Sequence, residues 1–542
     1  MALVNCILPM TNASLKPPSL HLSSLGREHQ IFKANVELSS RATPRTKSNS
    51  LRINCLKGVA FPEAETISKL INGVLTSSTA STTDTQVISR KDFPTDFKFG
   101  CSTSALQTEG SGTEGGRGPS TWDDFIGTGK KAVDSYNRYK EDVKLLKDMG
   151  ADCYRFSISW SRLLPDGTIS GGINQEGIKF YNNFIDELIS NGITPFVTLF
   201  HFDLPSALQK KYNGFLDSKI VDDFKAYADL CFKTFGDRVK YWITINEPQV
   251  FGQYGYKMQL SIPDVVTYPY TAIHNIILSH ATAAKHYQQN YQPTQKGEIG
   301  ISLVTEWFEA GSDTKPDKDA SERAFDFLTG WMLEPLVFGD YPFIMKALVR
   351  NDLPKFTDEQ KTLIKGSYDF IGVNYYTSRY ATAVSLTLDE KYTSLDQYQH
   401  VTLSVYKDGK LIGEKAPGSS EIYVYPPGLG KALAYISKFY NNPKIYITEN
   451  GYPEKRDDSI PQATAIKDDA RIQHITAHLQ SVKEAMKLGA NVKGYCMWSL
   501  MDCLEMGSAY NVRYGLCYTD YSTLNRYPKK SSEWLKTFVS SK

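Results

Sequence analysis

From Asp92 to the end of the chain, short apolar runs and longer amphipathic stretches alternate eight times. The runs are Phe97–Ser102, Cys153–Trp160, Pro195–Phe202, Val239–Asn246, Glu298–Thr305, Phe370–Tyr376, Lys444–Glu449 and Val492–Ser499. They are rich in β-branched and aromatic residues and show little alternation of apolar with polar. That pattern belongs to strands buried on both faces, and so to a parallel sheet. Between them, Tyr136–Met149, Gly177–Asn191, Lys219–Phe235, Ala272–Tyr287, Gly428–Tyr440 and Asp468–Leu488 place apolar residues at helical spacing. Eight strand-then-helix units predict an α/β fold, a single (β/α)8 barrel spanning 91–542. An open doubly wound sheet would want a Gly-rich phosphate turn after its first strand. The Gly-rich stretch 110–116 follows a Gln-x-Glu segment and opens no helical pattern, so it reads as a surface loop.

The front of the chain differs from the rest. Residues 1–58 hold eight Lys/Arg against two acids, Glu28 and Glu37, with eight Ser and three Thr. A basic, Ser-rich, acid-poor leader has the composition of an organelle transit peptide, so 1–60 predicts plastid delivery. Residues 61–90, with the Ser/Thr run at 76–83, read as a linker.

Charge and composition narrow the function. The net charge is +2, without the basic excess a nucleic-acid binder shows. No run of eighteen apolar residues marks a membrane span. No Cys/His cluster has zinc spacing, so no metal or organic cofactor is expected.

In a barrel of this kind chemistry sits at the C-terminal ends of strands. Strand four ends Thr244-Ile-Asn-Glu-Pro248 and strand seven ends Ile447-Thr-Glu-Asn-Gly451. Each places a glutamate, Glu247 and Glu449, where strand gives way to loop. Opposed carboxylates are what glycosidic cleavage needs: one protonates the leaving oxygen, the other attacks the anomeric carbon or activates water. A separation of about 5–5.5 Å retains the anomeric configuration.

These two segments, with Tyr154–Trp160, Gly372–Ser378 and Trp498–Asp502, closely resemble plant β-glucosidases of glycoside hydrolase family 1, in one colinear order over about 92–540. The resemblance implies that Glu247 is the acid/base and Glu449 the nucleophile. It implies that Arg155 and Tyr376 hold the nucleophile's charge, and that Gln107, His201, Asn246, Asn374 and Glu505 bind a sugar over the face of Trp498. Thioglucosidases of this family replace the acid by Gln, whereas Glu247 stands here. The 6-phosphoglycosidases lose the acid that receives the 4- and 6-hydroxyls, whereas Glu505 stands. The implied substrate is a small-molecule glycoside of a specialised metabolite, steroidal, terpenoid or alkaloid. Plant relatives often assemble, which leaves a homo-oligomer open.

The chain departs from the family pattern around the pocket. Tyr-Gln-x-Glu-Gly reads Leu106-Gln-Thr-Glu-Gly110, His-Trp-Asp-Leu-Pro reads His201-Phe-Asp-Leu-Pro205, and Asp-Asn-Phe-Glu-Trp reads Asp502-Cys-Leu-Glu-Met506. Glu421 aligns with a Trp that forms one wall of the aglycone slot, and its charge predicts a cationic or hydroxylated aglycone. The loop 257–263 lacks the usual Cys pair, so no loop disulfide is expected. Met506 lacks the indole N–H, a loss on the order of 1 kcal/mol. The competing expectation is a barrel turned to different chemistry, either glucosyl transfer to an acceptor or acid–base catalysis on a sugar-free metabolite.

Overall fold

A computed structural model describes residues 88–541, except 111, 127–131, 257–265, 386–391 and 393. The expected leader 1–60, nearly all of the expected linker and the loop 257–263 lie outside the described residues.

Eight strands close into a ring: β1 (Lys98–Ser102), β2 (Cys153–Ser157), β3 (Thr194–Phe200), β4 (Tyr241–Asn246), β5 (Glu298–Ala310), β6 (Phe370–Ala383), β7 (Ile445–Asn450) and β8 (Val492–Trp498). Each pairs in parallel with its sequence neighbours, and β8 returns to β1. The fold is a (β/α)8 barrel, and its strands are nearly solid in buried residues, as two covered faces demand.

Local chemistry sets the ends. The run after β2 stops being strand at Ser157, and Trp160–Leu163 winds into a short helix. There the Trp160 indole lies flat on Tyr227, with ring centroids 4.9 Å apart, and donates to the Gly167 carbonyl at 3.0 Å. β3 ends two residues before expectation, because Phe202 takes a left-handed φ of 72° that no strand accommodates. β5 and β6 run past their expected ends as a ribbon above the ring, and Val401–Ser404 adds antiparallel to β6. Between them lie helices Lys315–Phe325 and Trp331–Phe338 that the pattern reading missed. The first has few apolar positions and the second is apolar almost all round, so neither carries a clear stripe.

One end of the ring is plugged by Cys153, Phe196, Ile243, Phe370, Tyr446 and Cys496. Gly100 on β1 registers against both cysteines, whose sulfurs stand 3.8 Å apart. A Cβ at Gly100 would sit 2.0 Å from the Cys153 carbonyl oxygen, so only glycine fits. The plug forces any ligand to the opposite rim, where the strands end.

Candidate active site

At the tip of β4 the backbone turns sharply. Glu247 takes a left-handed φ of 44°, and Pro248 opens the short helix Pro248–Val250. A residue before proline is pushed out of the right-handed helical region, so Pro248 helps hold this turn. The Glu247 amide donates to the Ser302 carbonyl at 2.8 Å, and its own carbonyl accepts from Val250 and Phe251. The side chain is thereby fixed above the ring. Glu449 instead stays within β7, one residue from its end, where the pairing with both neighbouring strands shifts register.

The two carboxyls line one cavity and have different partners. Arg155, fully buried on β2, gives Nη1 to Glu449 Oε1 at 2.5 Å, and Tyr376 gives its hydroxyl to Oε2 at 2.8 Å. Burial pushes the Glu449 carboxyl up from its ordinary value, and Arg155 and Tyr376 pull it back. Glu247 instead takes a neutral donor: Asn374 Nδ2 bonds its Oε1 at 2.9 Å. Burial first, and the Glu449 charge second, push the Glu247 carboxyl up to about 7. The cation beside Glu449 and the neutral amide beside Glu247 thus favour the charge on Glu449 and the proton on Glu247.

Asn246 joins the two halves. Its Oδ1 accepts from Arg155 Nη2 at 2.6 Å and from Asn374 Nδ2 at 3.0 Å, and its Nδ2 faces His201 Nε2 at 3.3 Å. His201 is kept neutral by burial and by the Arg155 charge. Its ring lies nearly parallel to the Trp498 indole, 5.8 Å away. The indole N–H in turn donates to Glu505 Oε1 at 3.2 Å, and Gln107 Nε2 reaches the Leu504 carbonyl at 2.7 Å and Glu505 Oε2 at 3.4 Å. Burial drives the Glu505 carboxyl up to about 8, with Glu449 adding to the rise against the Trp498 hydrogen bond.

The structure thus gathers Gln107, His201, Asn246, Glu247, Tyr376, Glu449, Trp498, Glu505 and Met506 around one cavity. Two expected sugar contacts stand elsewhere. Asn374 does not line the cavity: its Nδ2 serves Glu247 and Asn246 while its Oδ1 accepts from Thr448 at 2.6 Å. It supports the acid from beneath. Glu421 turns away onto Arg379, which bonds its carbonyl at 2.8 Å and its carboxylate at 3.4 Å. Gly418, Ser419 and Ile422 form that part of the wall instead, so the cationic or hydroxylated aglycone predicted from Glu421 loses its basis. Phe202, singled out in the sequence as a departure from the family pattern, also lines the cavity, as do Ser508, Val512 and Tyr514, which no periodic signal marked.

A proton-bearing carboxyl and a charge-bearing one on a shared polar cavity is the arrangement that breaking a glycosidic bond requires. The chain belongs to glycosyl hydrolase family 1, whose model matches residues 89–542. It is a glycoside hydrolase of the β-glucosidase kind. The furostanol glycoside 26-O-β-glucosidase of Hellenia speciosa is 49% identical over 479 residues, covering 84% of each chain. The raucaffricine-O-β-D-glucosidase of Rauvolfia serpentina is 45% identical over 503 residues, covering 85% of this chain and 93% of the relative. Among solved structures, a rice β-glucosidase variant in covalent complex with glucose superposes with a TM-score of 0.80 at 39% identity, covering 83% of this chain and 99% of that one.

Proposed function

We propose that this protein is a retaining β-glucosidase that releases a glucosylated specialised metabolite through a covalent glycosyl-enzyme. The observation that carries the reading is the unequal partnering of two carboxyls on one cavity: Arg155 and Tyr376 on Glu449, and the neutral Asn374 amide on Glu247. The Glu449 carboxylate attacks the anomeric carbon while Glu247 hands its proton to the glycosidic oxygen, and the aglycone departs as an alcohol. A glucosyl ester on Glu449 remains. Esterification removes the charge that helped raise Glu247, which is now ionised and takes a proton from water as water attacks the anomeric carbon. Glucose leaves, and the pair regains its first protonation state.

The other residues supply position and charge. Arg155 and Tyr376 keep Glu449 ionised and aimed. Asn246, with Oδ1 pinned by Arg155, presents its amide side to the sugar 2-hydroxyl. Gln107, His201 and Glu505 take hydroxyls further round the ring, over the Trp498 face. That relatives act on a furostanol glycoside and on raucaffricine supports a bulky specialised-metabolite aglycone. Delivery to a plastid belongs to the same reading, supported by the leader composition; a fluorescent fusion of residues 1–90 tests it by the compartment it labels.

The test uses a 2-fluoro-glucoside with a good leaving group. Mass spectrometry of intact protein should show a single glucosyl adduct on the peptide containing Glu449, with a burst of aglycone. Glu449→Gln should show neither. If Glu449→Gln keeps native turnover while Glu247→Gln loses it, no covalent route is used.

A further inference from the structure

The catalytic cavity adjoins a second, larger space of about 640 Å3, within the range of small-molecule pockets. The two share Gly418, Ser419, Ser508 and Val512, so the second space is a vestibule bordering the sugar pocket. Its walls are the connections 416–420 and 507–511, together with Lys415, Lys455 and Val512 from two short antiparallel ribbons. Glu414–Lys415 pairs with Tyr423–Val424, and Glu454–Lys455 pairs with Val512–Arg513. The Gly418 amide donates to the Pro453 carbonyl at 3.0 Å and ties the ribbons together.

The charged residues that line the vestibule are Lys415 and Lys455, and among the described residues no acid lines it. The carboxylates nearby are committed elsewhere. Glu454 pairs with Arg471, Asp458 with Arg456 and Glu421 with Arg379. Asp457 is held by the amide and hydroxyl of Ser459. Glu414 precedes Lys415 without lining the space. Ser420 and Asn511 add hydrogen-bonding walls. The two spaces therefore differ in lining: three carboxyls, Glu247, Glu449 and Glu505, at the floor of the sugar pocket, and two cations at the lip.

We infer that this vestibule is an anion-recognising aglycone subsite, and that the natural substrate is a glucoside whose aglycone carries a carboxylate or another oxyacid group. This rests on the glucosidase reading above and narrows it. Two ammonium groups flanking one opening attract an anionic ligand and fix which end enters last. The Glu449 charge at the floor, held by Arg155, leaves no cation free there among the described residues for the same group, so the lip is its preferred place. The chain as a whole is nearly neutral, at +2, so the attraction is local to this mouth.

The test compares the β-glucoside of 4-hydroxyphenylacetate with that of its methyl ester. The two leaving groups are nearly equal in acidity and differ in charge remote from the bond that breaks. A third arm replaces the carboxylate by a sulfonate. Wild-type protein should favour the acids over the ester in kcat/KM by about five- to tenfold, the effect of two partly exposed ion pairs. The ratio should collapse toward one in about 1 M salt, where the screening length falls to about 3 Å. It should also approach one in Lys415→Gln/Lys455→Gln, whose melting curve should match wild type because both lysines are exposed. Calorimetry with free 4-hydroxyphenylacetate and its methyl ester reads the same subsite without turnover. A ratio near one in wild type, equal binding of the two free aglycones, or a preference that survives the double variant overturns the inference. Failure to cleave either glucoside while the acid aglycone still binds through the lysines overturns the glucosidase reading instead.

Discussion

The amide of Asn374 sets the proton affinity of Glu247, and removing it should shift the enzyme's pH profile in a direction opposite to simple damage. In the folded protein Nδ2 donates to Glu247 Oε1 at 2.9 Å, inside a site from which water is largely excluded. A hydrogen bond donated to a carboxylate favours its ionised form and opposes the burial that raises this carboxyl to about 7. A bond to a charged group is worth about 1.5–3 kcal/mol, and one unit of pKa is about 1.4 kcal/mol. Water entering the space left by Asn374→Ala recovers part of that. The net expectation is a rise of about one unit, so the alkaline limb of kcat/KM moves from about 7 toward about 8. The plateau falls at the same time, because Asn246 and Thr448 lose their shared partner. The assay is kcat/KM for an aryl β-glucoside from about pH 5 to 9.5, where the limbs report the free enzyme. Asn374→Ser, which keeps a short donor, should lie between. A limb that stays in place, or moves toward acid, would show that the Asn374 contact does not govern the acid and that solvent controls it.

Other consequences are more direct. Arg155→Met leaves Glu449 buried without its cation; the carboxyl should protonate and kcat/KM fall by about 10²–10³-fold, the cost of an uncompensated buried charge, with the near-UV circular dichroism preserved. Met506→Trp restores an indole N–H to the cavity wall and should lower KM for an aryl glucoside about fivefold, read from initial rates with kcat nearly constant. Gly100→Ala drives a methyl against the Cys153 carbonyl at the heart of the β1–β2 pairing and should cost about 3 kcal/mol in denaturant unfolding; a loss under half that would mean the strands slide apart easily.

The closed ring and the placement of Glu247 and Glu449 were legible because they depend on short-range signals. Unalternating apolar runs give parallel strands, and a glutamate at the end of such a run faces the rim. What could not be read were commitments made across the fold. Glu421 looks like a free charge in the sequence, yet Arg379, 42 positions away on β6, holds it. Asn374 looks like a sugar ligand until Glu247, Asn246 and Thr448 are seen to use up its amide. Tyr514 and Ile422 enter the wall from connections with no periodicity, and the ribbon strand Val401–Ser404 is too short to show a pattern of its own. Local pattern tells which face a residue shows, and only three-dimensional proximity tells whether another group already occupies it.

The proton-handling carboxyls are rooted in ring strands, cross-linked to one another through Arg155, Asn246 and Asn374, whereas the lysine-bearing lip belongs to two-residue ribbons that join neither network. Exchanging Lys415 or Lys455, which line the outer space and not the catalytic cavity, alters which guest is welcomed without retuning the acid underneath. A lineage built this way is free to chase new metabolites by editing its doorway while the machinery behind it stays untouched.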